Sequence, residues 1–106
     1  MSNVGQATAN TKKAILRNCD RVSRVMKSLS HSVRLKILCC LLEQEQSVNT
    51  LAETCDISQP AMSQFLKRMK AEGIVSSRRE QTFSYYSIAD KNLLKLLRAV
   101  RDIYCR

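Results

Sequence analysis

Residues that break helices and strands are scarce in this 106-residue sequence, which has one proline, two glycines and no linker-like stretch rich in Ser, Gly or Pro. Length and composition predict a single domain over residues 12–106, preceded by a flexible N-terminal arm at residues 1–11, MSNVGQATANT. A chain this short buries only about 60–70% of its unfolded surface, so dimerisation, disulfides or a metal ion could reinforce the fold.

Long hydrophobic runs are absent too. The longest uncharged apolar run is ILCCLL, far below the roughly 20 residues of a membrane helix, and the N-terminus lacks the apolar segment of a signal peptide. We therefore expect a cytoplasmic protein with no membrane partner. With one histidine, no Cys–His–acid set and no phosphate loop, the sequence predicts neither an enzyme nor a cofactor.

Acidic residues are few, and the net charge is +9. Residues 12–36 hold eight bases and one acid, whereas residues 37–57 hold four acids and no bases; residues 58–80 and 81–106 each carry a net +3. Such a surface can simply keep a protein soluble, or it can bind a polyanion, because Lys and Arg release counterions from phosphates. Charge alone does not separate DNA from RNA or an acidic membrane surface.

Hydrophobic spacing and capping residues predict a mainly α fold with a small β-hairpin. A basic helix is predicted from Lys12 to Leu29, and a second helix from a cap at Ser30 to about Gln44. The remaining elements, in order, are a short helix after Ser47, a helix between Ser58 and Gly73, a hairpin of IVSSRR and FSYYSI joined by EQT, and a last helix after Asp90.

The third helix, the fourth helix and the hairpin have the order of a winged helix-turn-helix, with Asp56 able to take the left-handed conformation of the tight turn. In this unit the second helix enters the DNA major groove, and the hairpin lies against the backbone or minor groove. The core side of that helix is predicted to be Ala61, Phe65, Leu66 and Met69. The predicted DNA-binding residues are Ser58, Gln59, Ser63, Gln64, Lys67, Arg78 and Arg79, which can serve base edges or phosphates.

Other interpretations of this pattern remain open. Ordinary helix polarity would explain any one of these residues, and a winged helix can also serve protein contacts or RNA alone. The capped turn, the polar helix face without acids before Glu72 and the basic hairpin together favour DNA.

The segments MKSLSHSVRLKILCCLL and SVNTLAETCDISQPAMSQFLKRMKAEGIVSSRREQTFSYYSI, within residues 26–88, resemble the ArsR family of bacterial repressors. The resemblance implies a homodimer joined by its first and last helices, bound to an imperfect inverted repeat of double-stranded DNA and released by a chemical signal. The chain departs from the family pattern at Ser32, usually proline, and at Gln81 and Thr82, often Gly-Arg.

Five cysteines in a reducing compartment argue against a disulfide framework and leave core packing, metal binding or redox chemistry. The ILC and YC motifs, which contain Cys39 and Cys105, resemble the branch of the family that includes BigR, SqrR and HlyU. That resemblance implies a response to reactive sulfur species such as glutathione persulfide, or to oxidants, in which linking the two cysteines within one subunit weakens DNA binding. Cys40 is then a bystander.

The attacking species is a thiolate that the reagent can reach, so a sensing cysteine belongs at the margin of a core. A helical wheel places Cys39 at that margin and turns Cys40 away from it. Nearby cations are expected to lower the pKa of the thiols; the candidates are Arg34, Lys36, Arg101 and Arg106.

Two alternatives remain: a metal sensor using thiolates of Cys39, Cys40 and Cys105, and a winged-helix protein with no thiol sensor. No metal site is predicted, because the cysteine spacing does not resemble C-x-x-C. Cys19, Cys40 and Cys55 are predicted to pack as small hydrophobic residues.

Overall fold

The computed structural model describes the backbone of residues 2–105 and the side chains of residues 9–105. The chain divides into two compact units, Met1–His31 and Ser32–Arg106. The single domain over residues 12–106 stays a prediction.

The first unit is one helix, α1, which spans Ser2–Leu29. It begins within residues 1–11, where the sequence predicted a flexible arm; that flexibility stays a prediction, and Met1 lies outside the described residues. The segment contains no proline and only one glycine, so nothing in it breaks a helix. Ile15, Val22 and Met26, which follow one another at helical spacing along α1, are 54%, 43% and 51% exposed. Cys19 on the same helix is also exposed, not packed as predicted.

The second unit is a winged helix-turn-helix, which confirms the predicted fold class. Its elements are α2 (Ser32–Cys40), β1 (Gln46–Ser47), α3 (Val48–Cys55), α4 (Gln59–Ala71), β2 (Val75–Glu80), β3 (Phe83–Ile88) and α5 (Lys91–Tyr104).

The helix starts follow from side chains that accept backbone hydrogen bonds, as the sequence predicted. The Ser47 hydroxyl accepts from the Thr50 N–H at 3.2 Å, and the Ser58 hydroxyl accepts from the Ala61 N–H at 3.2 Å. The Asp90 carboxylate caps α5 by accepting from the backbone N–H groups of Asn92 and Leu93. Each cap satisfies donors that the first turn of a helix leaves without a partner.

The turn between α3 and α4 and the end of α4 also agree with the prediction. Asp56 is left-handed, with φ 55° and ψ 50°, and Gly73 follows α4 with φ 77°. These two positions set the angle of α4 and the entry into the wing.

Helix α2 is shorter than predicted at both ends. The Ser30 hydroxyl donates to the Lys27 carbonyl at 2.7 Å, so it closes α1, and α2 begins at Ser32. At its other end α2 stops at Cys40, because the chain must turn to reach the short strand β1.

The hairpin of β2 and β3 is the wing. It belongs to a three-stranded antiparallel sheet of order β1-β3-β2, where the sequence predicted only the hairpin. Ser47 of β1 and Arg78 of β2 are both register partners of Tyr85 on β3. The segment just before α3 is thereby joined to the wing.

The core lies between α2, α3, α4 and α5. Its fully buried side chains are Ile37, Leu38, Leu51, Met62, Leu66, Met69, Val75 and Leu97. Leu66 and Met69 lie on the core side of α4 as predicted, but Ala61 and Phe65 are only half-buried. Met62 is buried in their place, because the rotation of α4 about its axis turns residues 62, 66 and 69 inward. The buried Arg34 donates to Glu72 at 2.6 Å and ties α2 to the end of α4.

Candidate nucleic-acid interface and thiol pair

The outer face of α4 carries the polar residues predicted to read DNA. Five of them are exposed: Ser58, Gln59, Ser63, Gln64 and Lys67. On the opposite face Met62 and Leu66 are completely buried, so the helix is held from behind and its polar side stays free of core packing. The Ser58 hydroxyl already accepts the capping hydrogen bond, which leaves its proton for a further acceptor.

The two wing arginines differ sharply in their surroundings. The Arg78 Nε lies 3.0 and 2.9 Å from the two carboxylate oxygens of Glu45, and its Nη1 lies 2.8 Å from Glu80 Oε2. The guanidinium also lies over the Tyr85 ring, 4.9 Å from its centroid. Arg79 is exposed, and within the described residues it makes no hydrogen bond or ion pair.

This cluster favours the charged forms of Glu45 and Arg78. The hydrogen bond from Arg78 lowers the pKa of the Glu45 carboxyl, and the hydrogen bonds from Glu45 and Glu80 raise the pKa of Arg78 further above its ordinary value. Glu45 was not predicted to take part. It lies 33 positions before Arg78, and no local pattern marks such a partner.

Cys39 and Cys105 come from distant parts of the chain and lie close enough to influence each other. Cys39 is in the last turn of α2, and Cys105 follows α5, with its N–H donating to the Arg101 carbonyl at 2.8 Å. Both cysteines are exposed. Partial burial, then the negative charge of a Cys105 thiolate, and then that of Cys40 raise the pKa of Cys39.

The raised pKa of Cys39 corrects the expectation that nearby cations would lower it. The Arg34 guanidinium is paired with Glu72, and that of Arg101 is paired with Glu43 and Asp102. These carboxylates largely balance the positive charges of the two arginines, so the arginines do little to lower the pKa of Cys39. Arg106 lies outside the described residues.

Cys40 is directed toward the core side of α2 and not away from it as predicted. It is half-buried beside the buried Cys55 of α3. Burial, then the charge of Cys55 and a hydrogen bond with it, raise the pKa of Cys40 to about 11. At neutral pH such a thiol is almost entirely protonated, which suits a packing role. Cys55 packs in the core as predicted.

Among residues 2–105, no group of three or more His, Cys, Asp or Glu side chains is arranged to hold a metal ion. None of the helices in this part of the chain is long and apolar enough to cross a bilayer.

Comparison with known proteins gives a consistent result. A family model described as "Bacterial regulatory protein, arsR family" matches residues 31–77. The structure is similar to the transcriptional repressor BigR from Xylella fastidiosa, with 33% identity, TM-score 0.82, and coverage of 90% of this chain and 97% of that one. It is also similar to the transcriptional regulator HlyU from Vibrio vulnificus, with 29% identity, TM-score 0.83 and coverage of 90% and 99%.

A third similar structure is the homodimeric winged helix-turn-helix DNA-binding domain of a possible ArsR-family regulator from Mycobacterium bovis. It shares 35% identity with this chain at a TM-score of 0.70, and the match covers 87% of this chain and 82% of that one.

Proposed function

This chain belongs to the ArsR family of bacterial regulatory proteins, and we propose that it is a repressor whose affinity for operator DNA is controlled by the Cys39–Cys105 thiol pair. The family and the relatives, BigR and HlyU among them, are DNA-binding transcriptional regulators and not enzymes. One observation carries the sensing part of the proposal. Two exposed thiols, 66 positions apart in sequence, lie near enough at the ends of α2 and α5 that the charge of a Cys105 thiolate raises the pKa of Cys39.

In the proposed complex α4 lies in the major groove. Gln59 and Gln64 can each pair bidentately with an adenine edge, and Ser63 can serve either a base or a phosphate. Lys67 and Arg79 supply positive charge to the phosphates. The exposure of all five side chains supports this assignment.

We propose that the protein binds DNA as a homodimer. Each helix offers an exposed apolar surface of its own: α1 exposes Ile15, Val22 and Met26, and the end of α5 exposes Ile103 at 65% and Tyr104 at 80%. The homodimeric M. bovis relative supports this assembly. A two-fold dimer reads an imperfect inverted repeat whose half-sites are about one helical turn apart.

The proposed inducer is a reactive sulfur species such as glutathione persulfide. The Cys39 thiolate attacks the outer sulfur of the persulfide, which gives a Cys39 persulfide and releases glutathione. The Cys105 thiolate then attacks the sulfur bonded to the Cys39 Cβ and expels hydrosulfide. In total, two thiols and one persulfide yield one Cys39–Cys105 disulfide, one glutathione and one hydrogen sulfide, with the sulfane sulfur as the oxidant.

Such a link acts on the DNA-binding unit through packing. α2 packs against α3, the first helix of the helix-turn-helix, and α5 packs against β3 of the wing. A bond between the ends of α2 and α5 displaces these two supports relative to each other. Both half-sites then lose alignment together, because the two subunits are related by symmetry.

The test begins with an operator selected from a random duplex library by the reduced protein. Its dissociation constant is measured before and after treatment with glutathione persulfide, while mass spectrometry detects any Cys39–Cys105 link. The wild type is expected to be linked and to lose affinity, whereas Cys39→Ser and Cys105→Ser retain affinity. Cys40→Ser is the matched control and should respond as the wild type does.

Three results would point elsewhere. A persulfide response that survives Cys39→Ser and Cys105→Ser refutes the thiol pair as the sensor. Release of DNA by zinc, lost in the same variants, favours a thiolate metal sensor. Affinity that no thiol reagent or metal changes favours a winged-helix regulator with no thiol sensor.

A further inference from the structure

Arg78 is the wing residue whose surroundings fit a phosphate contact least. All three guanidinium nitrogens are engaged, since Nε and Nη2 donate to Glu45 and Nη1 donates to Glu80. One face of the group is covered by Tyr85. Two carboxylates surround one cation, so a phosphate at this position meets net negative charge.

Glu45 lies at a junction of the fold. It directly precedes β1, and β1 runs into α3, the first helix of the helix-turn-helix. The Glu45–Arg78 pair therefore joins the start of the helix-turn-helix to the middle of β2. A second connection joins β2 to α4, the helix proposed to enter the major groove: Lys70 Nζ on α4 donates to Ser77 Oγ on β2 at 2.7 Å.

We propose that Arg78 and Glu45 are positioning residues that fix the wing against the helix-turn-helix, and that Arg79 is the wing residue that contacts phosphate. This inference rests on the proposed DNA-binding function and revises the sequence-based assignment of Arg78. A bidentate guanidinium–carboxylate pair fixes direction as well as distance, and Lys cannot reproduce it. The pair is about half exposed, so its effect lies in aligning the wing rather than in holding the fold together.

The two roles predict different dependence on salt. The slope of log K against log salt concentration falls by about 0.9 for each phosphate contact that is lost. Arg79→Gln is therefore expected to reduce the slope by about 2 for a dimer. Arg78→Gln is expected to weaken binding by about three- to tenfold at every salt concentration, with the slope unchanged. Arg78→Lys should behave like Arg78→Gln, because a lysine restores the charge but not the bidentate hydrogen bonds to the Glu45 carboxylate.

Glu45→Gln gives the sharpest test, because the two roles predict opposite signs. Removing a carboxylate beside a phosphate-binding arginine should tighten DNA binding, whereas removing the partner of a positioning arginine should weaken it. Glu53→Gln, at an exposed site on α3, is the control with the same change in charge. The double variant Glu45→Gln with Arg78→Gln should bind no more weakly than Arg78→Gln alone, since either substitution by itself already breaks the Glu45–Arg78 pair.

The proposal is overturned if Arg78→Gln lowers the salt slope as Arg79→Gln does, or if Glu45→Gln tightens binding as much as Glu53→Gln. If the wild type binds no duplex DNA, the proposed function fails, and amide hydrogen exchange of the wing decides the positioning role separately. Exchange in β2 and β3 should then accelerate in Arg78→Gln and Glu45→Gln but not in Arg79→Gln. Equal exchange in all three overturns the positioning role as well.

Discussion

Linking Cys39 to Cys105 is expected to stabilise the folded chain while it weakens DNA binding. A bond between these residues closes a loop of about 66 residues in the unfolded chain. The entropy that such a loop removes from the unfolded state corresponds to about 4 kcal/mol at 25 °C. Both thiols are exposed, and the charge of a Cys105 thiolate already acts on Cys39, so little burial has to change when the bond forms.

The measurement is urea unfolding of the reduced and the persulfide-treated protein at one protein concentration, since dimer stability depends on concentration. With a slope of about 2 kcal/mol/M, the full entropic gain moves the midpoint upward by about 2 M urea. Strain in the linked native state subtracts from that figure, so a gain between about 1 and 4 kcal/mol is expected. Cys105→Ser, treated in the same way, should show no shift.

Two results would refute this reasoning. A linked protein that is less stable than the reduced one would mean that the thiols are not close in the native fold. A shift of the same size in Cys105→Ser would mean that the persulfide acts on other cysteines. Measured beside the operator affinity, a gain in stability with a loss of affinity shows that linkage selects a folded state that is incompetent for DNA and does not simply unfold the protein.

Three further predictions concern individual side chains. Leu66→Ala, at a fully buried position of α4, should lower the free energy of unfolding by about 2–5 kcal/mol in urea titrations, and a loss below about 1 kcal/mol would contradict its central place in the core. Because the pKa of Cys39 is raised, its thiol stays protonated to higher pH than that of a free cysteine, so its rate of alkylation by iodoacetamide should level off at a higher pH than the rate of a cysteine in a short peptide. Cys40 should ionise only near pH 11, and a plateau for Cys39 at or below the pH of the peptide plateau would contradict this. Gln81→Gly should raise the free energy of unfolding by about 0.5–1 kcal/mol, because Gln81 has φ 58°, while Thr82→Gly as a control should not.

The parts of the fold that the sequence predicted depend on short-range signals. Ser47, Asp56, Ser58, Gly73 and Asp90 each act on backbone groups within a few positions, so their roles can be recognised without knowing the tertiary structure. The helix-turn-helix and the hairpin follow from these five positions and the hydrophobic spacing between them. The exposed face of α4 follows as well, since a helix with one buried stripe must expose the other side.

The features that the sequence did not predict depend on contacts between distant segments. Strand β1 has only two residues, Gln46 and Ser47, and exists because Tyr85 and Tyr86 of β3 lie beside it. The early end of α2 follows from the same pairing. The direction of Cys40 depends on where α3 places Cys55, which a helical wheel of α2 cannot include.

Charge shows the same limit most clearly. Along the chain, residues 37–57 are acidic and residues 58–80 are basic, so a count of charges by segment assigns every wing cation to DNA. The sheet, however, brings β1 beside β3 and places Glu45 on Arg78. That arginine is then balanced within the protein, which is why we propose Arg79, and not Arg78, as the phosphate contact of the wing. Since each phosphate contact contributes about 0.9 to the salt dependence of binding, this proposal predicts that the topology of the sheet, and not the net charge, sets how steeply DNA binding by the wing responds to salt.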